Sequence, residues 1–195
     1  MNKFLSKRGK TILFVVILAL LALGTRFWRL TEPAEVVFDE VHFGKFVSSY
    51  FTGEYFFDIH PPFGKLMMAG AAAAFGYRPN QNPALLFDHI GQPFDPASAF
   101  TLRFLPALAG TALVLIIFAL AGILGASQKT AFFAGTLAAL DNSLIVQSRF
   151  MFLDSFMLDF GLLAIIAAVS ASRSSGKKRF FLTALAGALG GLAFG

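Results

Sequence analysis

Cysteine is absent from the 195 residues. That excludes disulfides, a thiolate nucleophile and thiolate metal ligation, and leaves the redox state of the compartment unread. Charge is scarce at 14%, against about a quarter in soluble domains. There are three tyrosines and one tryptophan, so the aromatic content is almost all phenylalanine. What fills the chain is apolar. Hydrophobic residues make up 56%, with 25 phenylalanines, and mean hydropathy is +0.70. Phenylalanine buries area without a polar atom that needs a partner, which suits lipid contact and helix packing. The composition is that of an all-α integral membrane protein. The net charge of +5 falls in short clusters beside apolar runs. Such clusters fix topology and meet anionic headgroups, so they do not indicate nucleic-acid binding.

The first apolar run is TILFVVILALLALGT, residues 11–25, continued by RFWRL. A helix through 11–30 spans roughly 30 Å at about 1.5 Å per residue, enough for a bilayer. Residues 1–10 form a basic tail. No small-residue cleavage site follows, and Arg26, Trp28 and Arg29 read as an interface anchor, so an uncleaved helix is expected. Further spans are expected over 103–124, 130–147 and 155–172, and a fifth begins at Phe180. The tail and RSSGKKR (173–179) are the strongest basic stretches. Both belong in the cytoplasm by the positive-inside rule, which requires an even number of crossings between them. The short run 64–77 is therefore read as an interfacial or re-entrant helix. Residues 31–102 and the turn Gln147–Asp154 then share the outer face.

That outer face gathers the chemistry. VVFDEVHFGKFVSSYFTGEYFFDIHPPFGK, from Val36 to Lys65, concentrates titratable groups in an otherwise apolar chain. Adjacent Asp39 and Glu40 point in different directions, so one can face substrate while the other supports structure. A carboxylate at a membrane interface has the tunable basicity a general base needs. Paired acids also suit a divalent cation, and His42 and His60 keep that option open, although no metal-ligand spacing is present. In FDIHPPFGK, two prolines stiffen the backbone just after His60, which can bond Asp58 or a substrate. Lys65 follows within the same motif. LDNSLIVQSRFMFLDS places Asp141, Asn142, Gln147, Arg149 and Asp154 in or beside apolar helices, where charges are costly and tend to be paired or functional. Asp141, Ile145 and Arg149 fall on one helix face at i, i+4 spacing. One reading of Asp141 and Arg149 is a clip between helices. Arg149, Arg26 and Arg103 also suit a phosphate, since guanidinium binds it in bidentate fashion. Interfacial snorkelling is the competing reading for Arg26 and Arg103.

RFWRLTEPAEVVFDEVHFGKF, YFFDIHPPFGK and LDNSLIVQSRFMFLDS together resemble the protein O-mannosyltransferases, the dolichyl- or polyprenyl-phosphate-mannose:protein mannosyltransferases. The resemblance runs from Arg26 to the end of the chain. The related aminoarabinose transferases share an acidic loop and a Pro-Pro pair, but theirs follows a Glu-Lys-type pair instead of Asp58-Ile59-His60. The resemblance implies a GT-C glycosyltransferase-type helix bundle, here partial, with about five transmembrane helices and a catalytic extracytoplasmic first loop. It implies inverting transfer of mannose from a polyprenyl phosphate to Ser or Thr of an acceptor protein.

By that resemblance Asp39 is the general base and Glu40 supports the loop or acceptor. Arg26 and Arg103 match arginines important for activity. His60 lies near the donor, and Gln147 and Arg149 lie near its phosphate. Asp58, Lys65, Asp141 and Asp154 are supporting residues. No metal or other cofactor is expected. The expected partners are the lipid-linked donor, the acceptor protein, membrane lipids and a dimer partner, with no nucleic acid. The short basic tail favours the cell membrane of a prokaryote, with the endoplasmic reticulum as the alternative. The sequence stops inside the fifth apolar run, so an N-terminal portion of a longer enzyme is expected. Two other readings stay open: a GT-C enzyme acting on a lipid or glycan, and a truncated non-catalytic membrane subunit.

Overall fold

The computed structural model describes residues 6–79 and 81–194. The first five residues of the basic tail, with Asn2 and Lys3, lie outside the described residues. Helix α1 spans Lys7–Phe27, so Lys7, Arg8 and Lys10 belong to its first turn and not to a tail. Ser6 sets that boundary: its hydroxyl accepts the Gly9 N–H at 3.1 Å.

After α1 come α2 (Glu40–Thr52), α3 (Phe63–Ala74), the single turn α4 (Pro83–Leu86) and α5 (Pro96–Ile123). Helix α5 starts earlier than the apolar run suggests. Asp95 caps it through the Ser98 N–H at 2.9 Å, and Pro96 sits where no donor is needed. The expected 130–147 span is two helices, α6 (Gln128–Leu140) and α7 (Asn142–Arg149). Asp141 divides them. Its backbone is extended (φ −65°, ψ 121°), and its carboxylate accepts the Leu144 N–H at 2.8 Å, capping α7. Helices α8 (Asp154–Ser172) and α9 (Gly176–Phe194) complete the described chain.

Among the described residues, α1, α5 and α8 are long and apolar enough to cross a membrane. Helix α6 is cut to 13 residues by the Asp141 break. Helix α9 opens on Lys177, Lys178 and Arg179, which lowers its hydropathy.

Helix α5 is the axis of the bundle, with α1, α3, α6, α7 and α8 packed around it. Small residues set the closest approaches. A Cβ on Gly110 of α5 would lie 2.2 Å from the Ser148 Cβ of α7, and one on Gly135 of α6 would lie 2.7 Å from Leu18 of α1. One core, around Leu18, Ala22, Val114 and Ala139, joins α1, α5 and α6. A larger core, including Val47, Met68, Leu102 and Phe156, joins α2, α3, α5 and α8. At one end of the bundle, Gln128 donates to the Lys7 carbonyl at 3.2 Å and Arg173 reaches the Ile123 carbonyl. The two basic clusters therefore lie at the same end, and the charged loop lies at the other.

A short antiparallel bridge fixes the entry to α2. Val36 donates to Gln92 O at 2.8 Å, Gly91 to Val36 O at 2.9 Å, and Phe94 to Ala34 O at 2.9 Å. Phe38 then takes φ 49°, a left-handed turn that a bulky residue adopts only under strain. The chain passes directly from this turn into Asp39 and Glu40.

Candidate functional site

The two adjacent acids diverge completely. Glu40 is fully buried and forms a two-point ion pair with Arg103, Nε to Oε1 at 2.8 Å and Nη2 to Oε2 at 2.7 Å. The Val37 N–H donates to Oε2 at 3.0 Å and the Met151 N–H to Oε1 at 3.2 Å. Arg103 spends its remaining donors on the carbonyls of Leu30 (3.4 Å), Pro33 (2.9 Å) and Glu35 (2.9 Å). Its guanidinium lies 4.9 Å from the Phe150 ring centroid. Removing two charges from water is costly, and geometry this complete is what offsets that cost. The pair ties α5 and the 150–152 turn to the loop that carries Asp39.

Asp39 is exposed, and its carboxylate makes no capping bond to α2. It forms the shared wall of two cavities. One, of about 690 Å³, is lined by Asp39, Phe38, Asn142, Gln147, Phe152 and Asp154, among others. The other, of about 330 Å³, is lined by Asp39, His42, Phe46, Asp58 and His60, among others. The structure thus brings Asp39, Gln147 and Asp154 together on one side, and Asp39, Asp58 and His60 on the other.

The Asp-Ile-His-Pro-Pro segment folds around a buried charge. Lys65 is 1% exposed and its ammonium contacts Asp58 Oδ2 and donates to the His60 carbonyl at 2.7 Å. Asp58 Oδ1 accepts the His60 backbone N–H at 3.1 Å and lies 2.9 Å from the His60 Nδ1. Burial alone would raise the Asp58 pKa. The hydrogen bonds from Lys65 and from the His60 backbone and ring outweigh it, and hold the carboxyl below its ordinary value of 3.8. An ionised Asp58 accepts a hydrogen bond from Nδ1–H, which leaves Nε2 as the open face of an imidazole that is half exposed.

Helix α7 sorts the third motif. Ser143, Val146, Gln147 and Phe150, at i, i+3, i+4 and i+7, line the larger Asp39 cavity. Ile145 and Arg149 line a different cavity, of about 830 Å³, against α1. Asp141 does not pair with Arg149, because its carboxylate is the α7 cap.

The three arginines expected at a phosphate are all bonded to backbone carbonyls. Arg26 is fully buried and donates to Ala138 O and Ala139 O, both at 3.2 Å. These are the carbonyls orphaned where α6 breaks, and a cation there also complements the helix dipole. Arg149 does the same for α1, reaching the carbonyls of Thr25 (3.3 Å), Arg26 (3.1 Å), Trp28 (2.7 Å) and Arg29 (2.8 Å). All five N–H groups of Arg103 have protein acceptors, so none is left for a ligand. Sequence reasoning missed the aromatic wall of Phe38, Phe150 and Phe152. The one available signal was that Phe38 adjoins Asp39 and Phe150 adjoins Arg149. No group of three or more His, Asp or Glu among the described residues is arranged to hold a metal.

The sequence model described as "Dolichyl-phosphate-mannose-protein mannosyltransferase" matches residues 16–194. The chain is 39% identical over 179 residues to "Protein O-mannosyltransferase 1" of Drosophila melanogaster, covering 91% of this chain and 20% of that protein. It is 40% identical over 147 residues to "Dolichyl-phosphate-mannose--protein mannosyltransferase 4" of Saccharomyces cerevisiae, covering 74% and 19%. The chain therefore spans about a fifth of the length of these relatives. Its fold superposes on a chain of the S. cerevisiae protein O-mannosyltransferase Pmt1-Pmt2 complex bound to the sugar donor. The TM-score is 0.86 at 29% identity, covering 99% of this chain and 26% of the other. The relatives are eukaryotic, so the preference for a prokaryotic cell membrane drawn from the short basic tail has no support in them. On the family match, the fold and the apolar helices together, this multi-pass membrane chain belongs to the dolichyl-phosphate-mannose-protein mannosyltransferase family, with its GT-C-type helical architecture.

Proposed function

We propose that the protein carrying this segment transfers mannose from a dolichyl-phosphate donor to serine or threonine hydroxyls of proteins. Asp39 is the general base. It takes the proton from the hydroxyl as the oxygen attacks the anomeric carbon from the face opposite the phosphate. The bond from that carbon to the phosphate oxygen breaks, configuration inverts, and the lipid phosphate departs as an anion. No separate acid is required, because the leaving group is already a stable anion. A positioned base contributes roughly 10²–10⁴-fold.

The observation that carries this reading is the contrast between neighbours. Glu40 is locked to Arg103, while Asp39 is free and shared by two cavities. From opposite sides of Asp39, the Gln147 amide N–H offers a donor to phosphate or sugar, and the His60 Nε2 offers an acceptor to a sugar hydroxyl. Arg26, Arg103 and Arg149 serve this reaction from behind, by holding carbonyls at the ends of α6, the loop and α1. The remaining four-fifths of the length found in the relatives supplies the rest of the donor groove.

The site faces the side of the membrane away from Lys7 and Lys177, which is the lumenal side in the endoplasmic reticulum. The eukaryotic relatives favour that membrane. The solved Pmt1-Pmt2 complex supports pairing with a second related subunit.

The test is full-length protein in membranes with dolichyl-phosphate-mannose and a Ser/Thr peptide, with lipid and glycan acceptors in parallel. Mannosylated peptide of inverted anomeric configuration is expected. Transfer only to lipid or glycan, or retained configuration, contradicts the proposal.

A further inference from the structure

A second groove, distinct from the Asp39 site, is larger than either cavity that Asp39 lines. It lies across α7 from Asp39, at the end of α1 remote from Lys7, with a volume of about 830 Å³, in the range of ligand sites. Its floor is apolar: Leu20, Leu21 and Gly24 from α1 and Ile145 from α7. Its mouth is charged: Arg29, Glu32 and Arg149. Trp28, 75% exposed, stands at the rim, where indole rings settle at headgroup level.

We propose that this groove is a phospholipid site, separate from the mannose donor site. One acyl chain lies along Leu20, Leu21 and Ile145, and the phosphodiester meets Arg29 and Arg149.

Three observations select this occupant. First, the cavity couples an apolar trough within a membrane helix to cations at that helix's end, which matches an acyl chain joined to a phosphate. Second, the cations have donors to spare. Arg149 gives Nη1 and Nη2 to carbonyls, but its Nε–H has no protein acceptor among the described residues. Arg29 holds only an exposed, 3.4 Å contact to Glu32, a pair of little energetic weight. Two arginines against one glutamate leave the mouth net positive. Third, glycine keeps the trough open. A Cβ on Gly24 would meet nothing within 4 Å, so the space above it belongs to the groove and not to packed protein. The Asp39 cavity shares no lining residue with this one. The inference therefore stands or falls independently of the proposed transfer.

The absence of contacts at Gly24 also supplies the probe. Gly24→Leu starts from a Cβ that meets nothing within 4 Å, projects into the trough, and improves helix propensity. Gly122→Leu, equally free of neighbours but on α5 outside the groove, is the control. Full-length protein is purified in mild detergent and its retained lipid is extracted, quantified and identified by mass spectrometry. Wild type and Gly122→Leu are expected to retain phospholipid, with Gly24→Leu lowering retention about tenfold, a change of about 1.4 kcal/mol. Arg29→Gln lowers it about two- to fivefold, the weight of one exposed charge.

Equal retention in Gly24→Leu overturns the site. So does a wild type that retains no phospholipid, as expected if a helix of the longer protein fills the groove. Recovery of polyprenyl phosphate in place of phospholipid overturns the separation from the donor. Unchanged retention in Arg29→Gln overturns the phosphate contact. Thermal unfolding of each variant shows that it is folded, and the Arg29→Gln arm decides if Gly24→Leu does not fold.

Discussion

Glu40 and Arg103 meet through two parallel hydrogen bonds of 2.8 and 2.7 Å, both side chains completely buried, across 63 residues of sequence. Either partner alone would be an uncompensated charge in the protein interior. Arg103→Met or Glu40→Gln is therefore expected to destabilise the full-length protein by about 3–5 kcal/mol. The double substitution is expected to cost less than the sum of the singles, because it leaves no lone charge. Thermal unfolding in detergent reads both. Strict additivity would show that the two residues act separately.

Asp58 and Lys65 make a second buried pair, with an acid signature. The Asp58 carboxyl titrates below 3.8 in the fold and near 3.8 when unfolded. A depressed folded value means the stabilisation is complete above pH 3.8 and is lost as pH falls further, through the folded pKa. The stability gap between wild type and Asp58→Asn should be constant above that point and narrow below it. A gap independent of pH down to strong acid would contradict the pairing. Lys65→Met should also destabilise at neutral pH, since it leaves the buried Asp58 carboxylate with only the His60 backbone and ring as partners.

The junction between α6 and α7 depends on a cap. Asp141→Ala removes the acceptor for the Leu144 N–H and should cost about 1 kcal/mol. Asp141→Asn and Asp141→Ser, which keep an acceptor, should recover most of that cost. Equal loss in all three would mean that the carboxylate charge, and not the cap, matters.

Gly110 sets the distance between α5 and α7. Gly110→Ala places a methyl group 2.2 Å from the Ser148 Cβ and 3.0 Å from the Arg26 Nε. Overpacking of this kind costs about 1–3 kcal/mol. It should also shift α7, and with it Gln147, lowering transfer in protein that still folds. Gly122→Ala on the same helix meets nothing and should be silent.

The helices were legible because apolar runs and their flanking charges are a direct readout of lipid burial. The all-helical class was legible for the same reason, and adjacency alone indicates that Asp39 and Glu40 point apart, as their exposed and buried placements do. The α6–α7 break was not, since Asp141 inside an apolar run looks like a charge in a span until its capping bond is seen. The arginines carried a different ambiguity. Arg26, Arg103 and Arg149 sit at span ends, where a phosphate and an orphaned carbonyl both call for guanidinium. Sequence records the donor and leaves out which acceptor lies opposite. The i, i+4 spacing of Asp141, Ile145 and Arg149 failed likewise. It describes one continuous helix face, whereas Asp141 stands just before the helix begins. The pairing of Lys65 with Asp58 across seven residues was within reach, because two prolines turn the chain between them.

The most direct test of the account is mannose transfer by the full-length protein with Asp39→Asn, measured beside donor binding and thermal unfolding. The Asp39 carboxylate caps nothing, and the carbonyl that accepts the His42 and Phe43 N–H groups is unchanged by the substitution, so unfolding and donor binding should match wild type. Transfer should fall by about 10²–10⁴-fold, the weight of a general base. Wild-type transfer by a folded Asp39→Asn protein would contradict the central claim.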